Sequence, residues 1–508
     1  MKKCCALLLA LTLLLLLCAC GKTPEEPVSE PDPSDTTAPA VTEANTAVHD
    51  VVLPYTAADS LNPFQTKSAM NRDICTLLYD SLVRLDEHFM PVLSLAAAIR
   101  QEGLKLTVAL RSDAQFTTGD LLQARDVIRS FECAKESPCY EARLATFESC
   151  SLSGEEVVFT LAQENVQAEG CLDFPIVKFG TEETEIPIGS GRYRLYHRDA
   201  DLYLDANETG SAREEMELKT IKLLDISTRE NELQLMQIGE MSALYVDPTT
   251  LERTKIFAGE EIVPMLNLVY LGLNSDRPYL QDAAFRCAIA AALDKPTLVS
   301  TAYDGYASAT DVPFHPLWGN VDLPDVTFDP QAAPGQLDAL GCLLSSAGKR
   351  VNKEETVTLE LVCNSENKVR MACAELIRQQ LEDCGFGVNL SSLDYDSYLA
   401  RLESGQYDLY VGEVKLTADM DLSLFFGAEG KAGYGLDPAS AAAQTFFSWR
   451  AGAVDTSTFA QVFLQDQPLV PLCFRSGRLY CAKELQIEGD VNENDLYANL
   501  YAWSYIES

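Results

Sequence analysis

Apolar and polar positions along the chain alternate in a way that predicts short strands separated by amphipathic helices. The clearest unit runs from an apolar strand at 357–361, through a helix whose apolar stripe spans 369–384, to a second strand at 388–390. Gly385 follows the helix, as is usual where a helix ends. A strand, helix and strand of these lengths make a right-handed crossover between parallel neighbours, and 407–411 predicts a third strand. This order predicts an α/β fold.

Other segments extend the same pattern. Residues 104–110 alternate as a half-buried strand, a turn follows at 117–119, and apolar positions spaced three and four apart stripe a helix at 124–131. Asp282 precedes a further helix whose tight apolar face spans 285–293. No internal repeat occurs, so a solenoid is not indicated.

The first residues read as an export signal. Lys2 and Lys3 precede an apolar run at 6–18, which is shorter than the ~20 residues that span a bilayer as a helix. The run ends in Leu-x-Ala-Cys, which resembles a bacterial lipobox, so we expect a signal peptide at 1–19 and lipidation of Cys20. The alternative is a plain secretory signal cleaved in the same place. Cys20 predicts an acyl anchor on the outer face of the cytoplasmic membrane.

Residues 20–48 predict a disordered tether. They are rich in Pro, Glu, Ser, Thr and Ala, and they lack the large apolar side chains that folding requires. A flexible tether of this length reaches roughly 30 Å. It would hold the folded body clear of the lipid headgroups.

Composition narrows the classes of function. At 508 residues the chain exceeds what one core usually organises, so two or three lobes are expected. The 76 acidic residues outnumber the 39 basic ones, and the resulting negative surface repels phosphate backbones. Nucleic acid is therefore excluded as a partner.

Cysteine and histidine spacing gives no support to a metal site or a cofactor. Of 16 cysteines, twelve remain after the predicted signal peptide and Cys20, and no C-x-x-C pair occurs among them. Most are expected to be buried thiols, although export would permit disulfides. The most closely spaced candidates for a disulfide are Cys133, Cys139, Cys150 and Cys171. The four histidines are isolated from one another, so no metal ligands are predicted.

Several short motifs, taken in order, carry a resemblance to a known family. They are Leu61-Asn62-Pro63-Phe64, Leu78-Tyr79-Asp80-Ser81-Leu82-Val83, Phe116-Thr117-Thr118-Gly119, Ala124-Arg125-Asp126-Val127, Gly189-Ser190-Gly191-Arg192-Tyr193, Leu273-Asn274, Phe285-Arg286-Cys287-Ala288-Ile289, Gly405-Gln406-Tyr407-Asp408-Leu409 and Pro468-Leu469-Val470-Pro471-Leu472. Together they resemble the family 5 extracellular solute-binding proteins of oligopeptide and dipeptide ABC importers, over about 51–503. Arg192 replaces the family's proline.

The resemblance implies a periplasmic-binding-protein-like (type II) clamshell with an extra inserted lobe. Lobe I would combine 49–83, 187–276 and 483–508. The inserted lobe would span 84–186, and lobe III would span 277–482. Two crossing strands would form a hinge, and a solute would be enclosed as the lobes close. The protein would be a monomer that binds peptides or similar solutes and delivers them to ABC permease subunits.

Four residues are candidates for ligand contact by family position. Asp419 follows the predicted 407–411 strand where peptide-binding relatives place an aspartate against the ligand's α-ammonium, a charge-assisted hydrogen bond. Met420 and Leu422 interrupt the family's usual run there, and the bland alternative is a turn acid. Asn62, Phe64 and Asn274 are candidates for the cleft wall or, equally, for the lobe core.

Catalysis is not predicted. The Gly189-x-Gly191 turn lacks the third glycine of a phosphate-binding loop, and Ser365-x-x-Lys368 lacks the partner motifs of penicillin-binding enzymes. A helix N-terminus built from Ser365 or Asn364 explains the second motif better. The alternatives to a peptide receptor are a receptor for a metal chelate, sugar or opine, a surface hydrolase, and a signalling or adhesive lipoprotein.

Overall fold

The computed structural model describes residues 51–505, apart from 210–215, 217, 229–231, 250–258, 322, 324–325, 327, 429, 484 and 488. The predicted signal peptide (1–19), Cys20 and the predicted tether (20–48) lie outside the described residues. Among the helices within those ranges, none combines the length and the apolarity needed to cross a bilayer.

Strands make up most of the regular structure. In chain order they are β1 (Val51–Tyr55), β2 (Val83–Leu85), β3 (Pro91–Leu93), β4 (Ala96–Glu102), β5 (Lys105–Leu110), β6 (Phe147–Ser153), β7 (Glu156–Leu161), β8 (Tyr193–Arg198), β9 (Asp201–Ala206), β10 (Thr220–Asp225), β11 (Ala243–Val246), β12 (Gly259–Leu273), β13 (Ala307–Ala309), β14 (Leu343–Leu344), β15 (Arg350–Asn352), β16 (Glu355–Thr356), β17 (Thr358–Asn364), β18 (Gly387–Leu393), β19 (Leu409–Lys415), β20 (Leu469–Cys481), β21 (Leu485–Gln486) and β22 (Ser504–Tyr505).

Helices lie between the strands. They are α1 (Ala69–Leu78), α2 (Ala124–Glu136), α3 (Glu232–Gln237), α4 (Ala283–Ala291), α5 (Lys295–Ala302), α6 (Ala332–Ala339), α7 (Lys368–Asp383), α8 (Tyr395–Glu403), α9 (Ser423–Phe426), α10 (Ala441–Arg450) and α11 (Thr456–Asp466).

Two four-stranded sheets occupy the first half of the described chain. One has the order β1-β10-β9-β8, with β1 parallel to β10 and the other pairs antiparallel. The other is the antiparallel sheet β4-β5-β7-β6, drawn from the predicted insertion. The β5 strand buries Leu106 and Val108 on one face, as its alternation predicted. One continuous hydrophobic cluster joins the two sheets.

The third sheet contains the predicted crossover. Its order is β11-β20-β12-β19-β17-β18, with β13 against β20. The β17 strand pairs in parallel with both β18 and β19, so the predicted strand–helix–strand unit and its third strand are confirmed. Gly385 ends α7 with φ +96°, a conformation that favours glycine. Apolar clusters cover both faces of the sheet, as expected for strands buried on two sides.

Two long strands of the third sheet, β12 and β20, extend into the hydrophobic cluster of the first two sheets, called the first cluster below. The β12 strand pairs with β20 over two stretches, Gly259 to Pro264 and Leu268 to Gly272, with a bulge between them. Val263 and Leu479 belong to the cluster of the first two sheets, whereas Val269 and Leu472 belong to the other side. The strands therefore run from one apolar cluster to the other, and their role as a hinge stays a prediction.

Helix ends follow local chemistry, with one correction. Asp282 accepts a hydrogen bond from the Ala284 amide and caps α4, as expected. The cap of α7 is Asn367, whose Oδ1 accepts from the Arg370 amide, and not Ser365 or Asn364. The expectation was wrong because the chain makes another turn first, in which Asn364 Oδ1 accepts from the Glu366 amide.

All twelve cysteines in the described part of the chain are free thiols. Seven are buried: Cys75, Cys171, Cys342, Cys363, Cys373, Cys473 and Cys481. The most closely spaced candidates for oxidation remain unpaired. Most of these side chains therefore serve as small apolar groups.

Arg192, which stands where the family resemblance expects proline, ties the first sheet to the C-terminal segment. Its guanidinium donates to the carbonyl oxygens of Tyr497 (2.7 Å) and Ala498 (2.9 Å) and pairs with Asp495 at 2.8 Å. The residue is nearly buried. A cation replaces the rigid ring here because the C-terminal segment presents carbonyl and carboxylate acceptors to it.

Candidate functional site

A cavity of about 760 Å³ opens where segments distant in sequence meet. Its lining residues are drawn from 65–85, 138–143, 170–175, 245–247, 265–266, 415–418 and 493–496. All three predicted lobes therefore contribute to its wall. A space of this size accommodates a small organic solute.

One face of α1 forms part of the wall. Ala69, Arg72, Asp73 and Thr76 line the cavity, at the i, i+3, i+4 and i+7 spacing that places side chains on one face of a helix. The opposite face is buried through Ile74, Leu77 and Leu78. Ser68 caps the helix by accepting from the Asn71 amide. Local amphipathicity thus presents polar groups to the cavity.

The wall carries both signs of charge. Its basic residues are Lys67, Arg72, Arg84, Arg143 and Lys415, and its acidic residues are Asp73, Asp80, Asp173, Asp247, Glu493 and Asp495. Three tyrosines and three thiols complete the chemistry: Tyr79, Tyr140, Tyr245, Cys75, Cys139 and Cys171. Such a wall suits a polar ligand with charged groups.

Most of the acids in the wall are already paired with protein cations. Lys415 Nζ lies 2.6 Å from Glu493 Oε2, and Arg143 Nη1 lies 2.6 Å from Asp173 Oδ2. Burial would raise the pKa of Asp247, but the Arg475 guanidinium beside it lowers that pKa overall. These pairs neutralise charge that the wall would otherwise present.

Asp73 differs from the other acids. Within the described part of the chain, its carboxylate accepts no hydrogen bond and forms no ion pair. Burial raises its pKa well above the ordinary value; Arg72 and Lys415 oppose this shift, and Asp495 and Glu493 add to it. Asp73 is half-buried and lines the cavity, so its carboxylate is open to a positive group of a ligand.

The four candidate residues named from the sequence do not belong to the lining set. Asn62 is fully buried and donates to the carbonyl oxygens of Glu182 and Thr184, both at 2.8 Å. Phe64 packs edge-to-face against Tyr140, with ring centroids 6.5 Å apart. In this conformation both side chains support the packing beside the cavity.

Asn274 and Asp419 also make contacts within the protein. Asn274 Nδ2 donates to the carbonyl oxygens of Tyr407 (3.0 Å) and Gly405 (3.2 Å). Asp419 is 2 % exposed and pairs with Arg450 at 2.7 Å. Ligand contact by any of the four remains a prediction.

The sequence analysis missed Asp73 and the other lining residues. Asp73 stands between two of the family motifs, on a short helix, and nothing local distinguishes it from 75 other acids. The available signal was the helical spacing of the polar positions 72, 73 and 76 opposite an apolar stripe. Among the described residues, no cluster of three or more potential metal ligands occurs.

Comparisons with known proteins agree with this architecture. A family model described as "Bacterial extracellular solute-binding proteins, family 5 Middle" matches residues 89–431. The oligopeptide-binding protein AppA of Bacillus subtilis is 25% identical over 378 residues, covering 68% of this chain and 69% of that protein. The nickel-binding periplasmic protein of Escherichia coli is 23% identical over 363 residues, covering 66% and 69%.

A solved structure shares the fold. The ABC transporter substrate-binding protein from Sinorhizobium meliloti superposes with a TM-score of 0.75 at 16% identity, covering 90% of this chain and all of that chain. The predicted multi-lobe α/β fold of periplasmic binding proteins is confirmed. The match with the family model, which spans well over half of the chain, also confirms the expected non-enzymatic, extracytoplasmic class of solute-binding component of ABC importers. The chain belongs to the bacterial extracellular solute-binding proteins of family 5.

Proposed function

We propose that this protein is a lipid-anchored receptor that captures peptides in the cavity and delivers them to the permease subunits of an ABC importer. The observation that carries the proposal is the cavity itself, whose wall is assembled from segments of all three predicted lobes. A ligand that contacts every lobe favours the closed arrangement over the open one. The B. subtilis relative is an oligopeptide-binding protein, which supports peptides as the solute class.

The geometry of β12 and β20 suits hinge closure. The long strands β12 and β20 pass from the first cluster into the third sheet. A few residues near the bulge between Pro264 and Leu268 could absorb the change in backbone angles. The cavity wall includes Met265 and Leu266, which belong to this bulge. Hinge and binding site are thus adjacent.

Native mass spectrometry of the purified protein tests the proposal directly. We expect a bound peptide in the wild type and its loss in Ala142→Trp, because an indole placed on the wall would occupy the ligand's space. Ala145→Trp is the matched control, since Ala145 is exposed and does not line the cavity. A bound nickel species, the solute named for the E. coli relative, would replace the peptide assignment. If Ala142→Trp retained the solute, the cavity would not be the solute-binding site.

Anchoring is tested separately through Cys20. Metabolic labelling with a radiolabelled fatty acid in a bacterial host is expected to mark the wild type and not Cys20→Ser. The variant should leave the membrane fraction, because a diacyl group is the proposed attachment. Cys75→Ser, which alters a buried thiol of the folded body, serves as the control and should stay labelled. Labelling of Cys20→Ser would contradict the anchor.

A further inference from the structure

We propose that the ligand's ammonium group is received by Asp73 on α1, and that Asp419 does not perform this task in this protein. The inference deepens the proposed function and rests on it, because it takes the cavity as the solute site. It assigns the ligand to a chemical class, namely solutes with a free primary amine such as peptides with an unblocked amino terminus. It also places the specificity for that amine in the first predicted lobe.

Both carboxylate oxygens of Asp419 already accept hydrogen bonds from other side chains of the protein. Its Oδ2 accepts from Arg450 Nη1 at 2.7 Å and from Asn165 Nδ2 at 2.8 Å, and its Oδ1 accepts from the Thr417 hydroxyl. Arg450 thus already supplies a cation to this carboxylate. A second cation would have to displace a buried guanidinium, which would then lie buried and unpaired.

The other acids of the wall are occupied as well. Glu493 accepts from Lys415 and from the Leu266 amide, and Asp495 accepts from Arg192. Asp247 pairs with Arg475, and Asp80 also has a protein partner. Asp173 keeps one buried oxygen without a partner, but Arg143 neutralises its charge.

Asp73 is therefore the acid of the wall whose carboxylate could pair with a cation of the ligand. Of the two cations that lower its pKa, Arg72 donates to the Lys67 carbonyl oxygen at 2.9 Å and Lys415 pairs with Glu493. An ammonium group arriving at the wall would form a charge-assisted hydrogen bond with this carboxylate. The groups that sense the charge of Asp73 are Arg72, Cys75, Tyr245, Lys415, Glu493, Asp495 and Tyr497.

The experiment compares two peptide pools on four proteins. The probes are a mixed pool of tri- to nonapeptides with free amino termini and the same pool after N-acetylation. The proteins are wild type, Asp73→Asn, Asp419→Asn and Glu102→Gln. The last removes one exposed acid outside the cavity and controls for net charge. Retained peptides are quantified by mass spectrometry, and affinities of the strongest binders follow by calorimetry.

We expect acetylation to weaken binding to the wild type by roughly 10- to 100-fold, the cost of a lost hydrogen bond to a charged group. Asp73→Asn should weaken the free-amine pool by a similar factor and should no longer discriminate between the pools. Glu102→Gln should behave as wild type, and Asp419→Asn should still prefer free amines. Asp73→Asn should fold, because asparagine nearly matches aspartate in size and Asp73 has no protein counter-ion to lose among the described residues.

Three results would overturn the inference. They are equal binding of both pools by the wild type, an undiminished amine preference in Asp73→Asn, and loss of that preference in Asp419→Asn alone. If the wild type carries a nickel species and takes no peptide, the amine site is refuted while the receptor function stands. If it binds neither pool and carries no solute, the proposed function itself fails. The two failures are therefore distinguishable.

Discussion

Replacing Arg450 by methionine is expected to lower the free energy of unfolding by about 3–5 kcal/mol, because it leaves the Asp419 carboxylate buried without its counter-ion. The Arg450 and Asp419 side chains are only 6% and 2% exposed. The Val166 amide also donates to the Arg450 carbonyl oxygen at 2.9 Å, so the site joins the predicted insertion to the end of α10. Urea denaturation followed by tryptophan fluorescence measures the change, since Trp318 Nε1 donates to the neighbouring Ala418 carbonyl oxygen.

Arg100→Met is the matched control. Arg100 pairs with Glu156 at 2.9 Å, but its side chain is 58% exposed, so its loss should change the free energy of unfolding by less than about 1 kcal/mol. Adding Asp419→Leu to Arg450→Met should recover much of the stability by removing the orphaned charge. Similar losses in Arg450→Met and Arg100→Met would contradict the buried-pair argument.

The effect of Arg450→Met should depend on pH in a defined direction. Burial raises the pKa of Asp419, but Arg450 and the hydrogen bonds from Thr417, Arg450 and Asn165 outweigh burial and hold the pKa below its ordinary value. A carboxyl with a lowered pKa contributes stability above its unfolded-state pKa and loses it as pH falls through the folded-state value. The difference between wild type and variant should therefore be large at neutral pH and should shrink in acid.

Gly191→Ala is expected to lower the free energy of unfolding by at least about 3 kcal/mol, the upper end for overpacking a core. A Cβ at Gly191 would lie 2.2 Å from the Leu78 carbonyl carbon and 2.3 Å from the Leu77 carbonyl oxygen. Both neighbours are backbone atoms at the end of α1, so no side-chain rotation relieves the contact. Because α1 also forms the cavity wall, we expect solute binding to fall with stability. Thermal unfolding and the peptide-pool assay measure the two effects.

Gly335→Ala controls for the loss of glycine flexibility. Gly335 lies within α6, and a Cβ there would meet nothing within 4 Å. Alanine should therefore stabilise the protein by about 0.5–1 kcal/mol, the ordinary advantage of alanine within a helix. If Gly191→Ala proved as well tolerated as Gly335→Ala, the close approach of the two backbones would be wrong.

The role of Gly189 and Gly191 is explained by the structure and not by their spacing alone. From spacing alone they indicate a tight turn and lack the signature of a phosphate-binding loop. The structure supplies the reason for glycine, because the Gly191 amide donates to the Leu78 carbonyl oxygen at 2.9 Å and a Cβ at either position would collide with Leu78. The two glycines let the turn pack closely against the end of α1. This contact fixes the position of α1 and of the part of the cavity wall that α1 forms.

Asp419 is the reverse case. Its position in the family suggests contact with a ligand, but its carboxylate is held by residues that are distant in sequence. Arg450 lies 31 residues further along the chain and Asn165 lies 254 residues away. Nothing in the local sequence around Asp419 reveals that these groups meet its carboxylate.

The sequence by itself determined the alternation of strands and helices, the parallel crossover at 357–411 and the family, because period-2 and period-3.6 patterns and short ordered motifs are local properties of the chain. Only the tertiary structure decided which charged groups face the cavity and which neutralise one another. That choice depends on contacts between residues far apart in sequence, such as Arg192 with Asp495 and Lys415 with Glu493. Among 76 acids and 39 basic residues, composition cannot identify such partners; three-dimensional proximity and burial do.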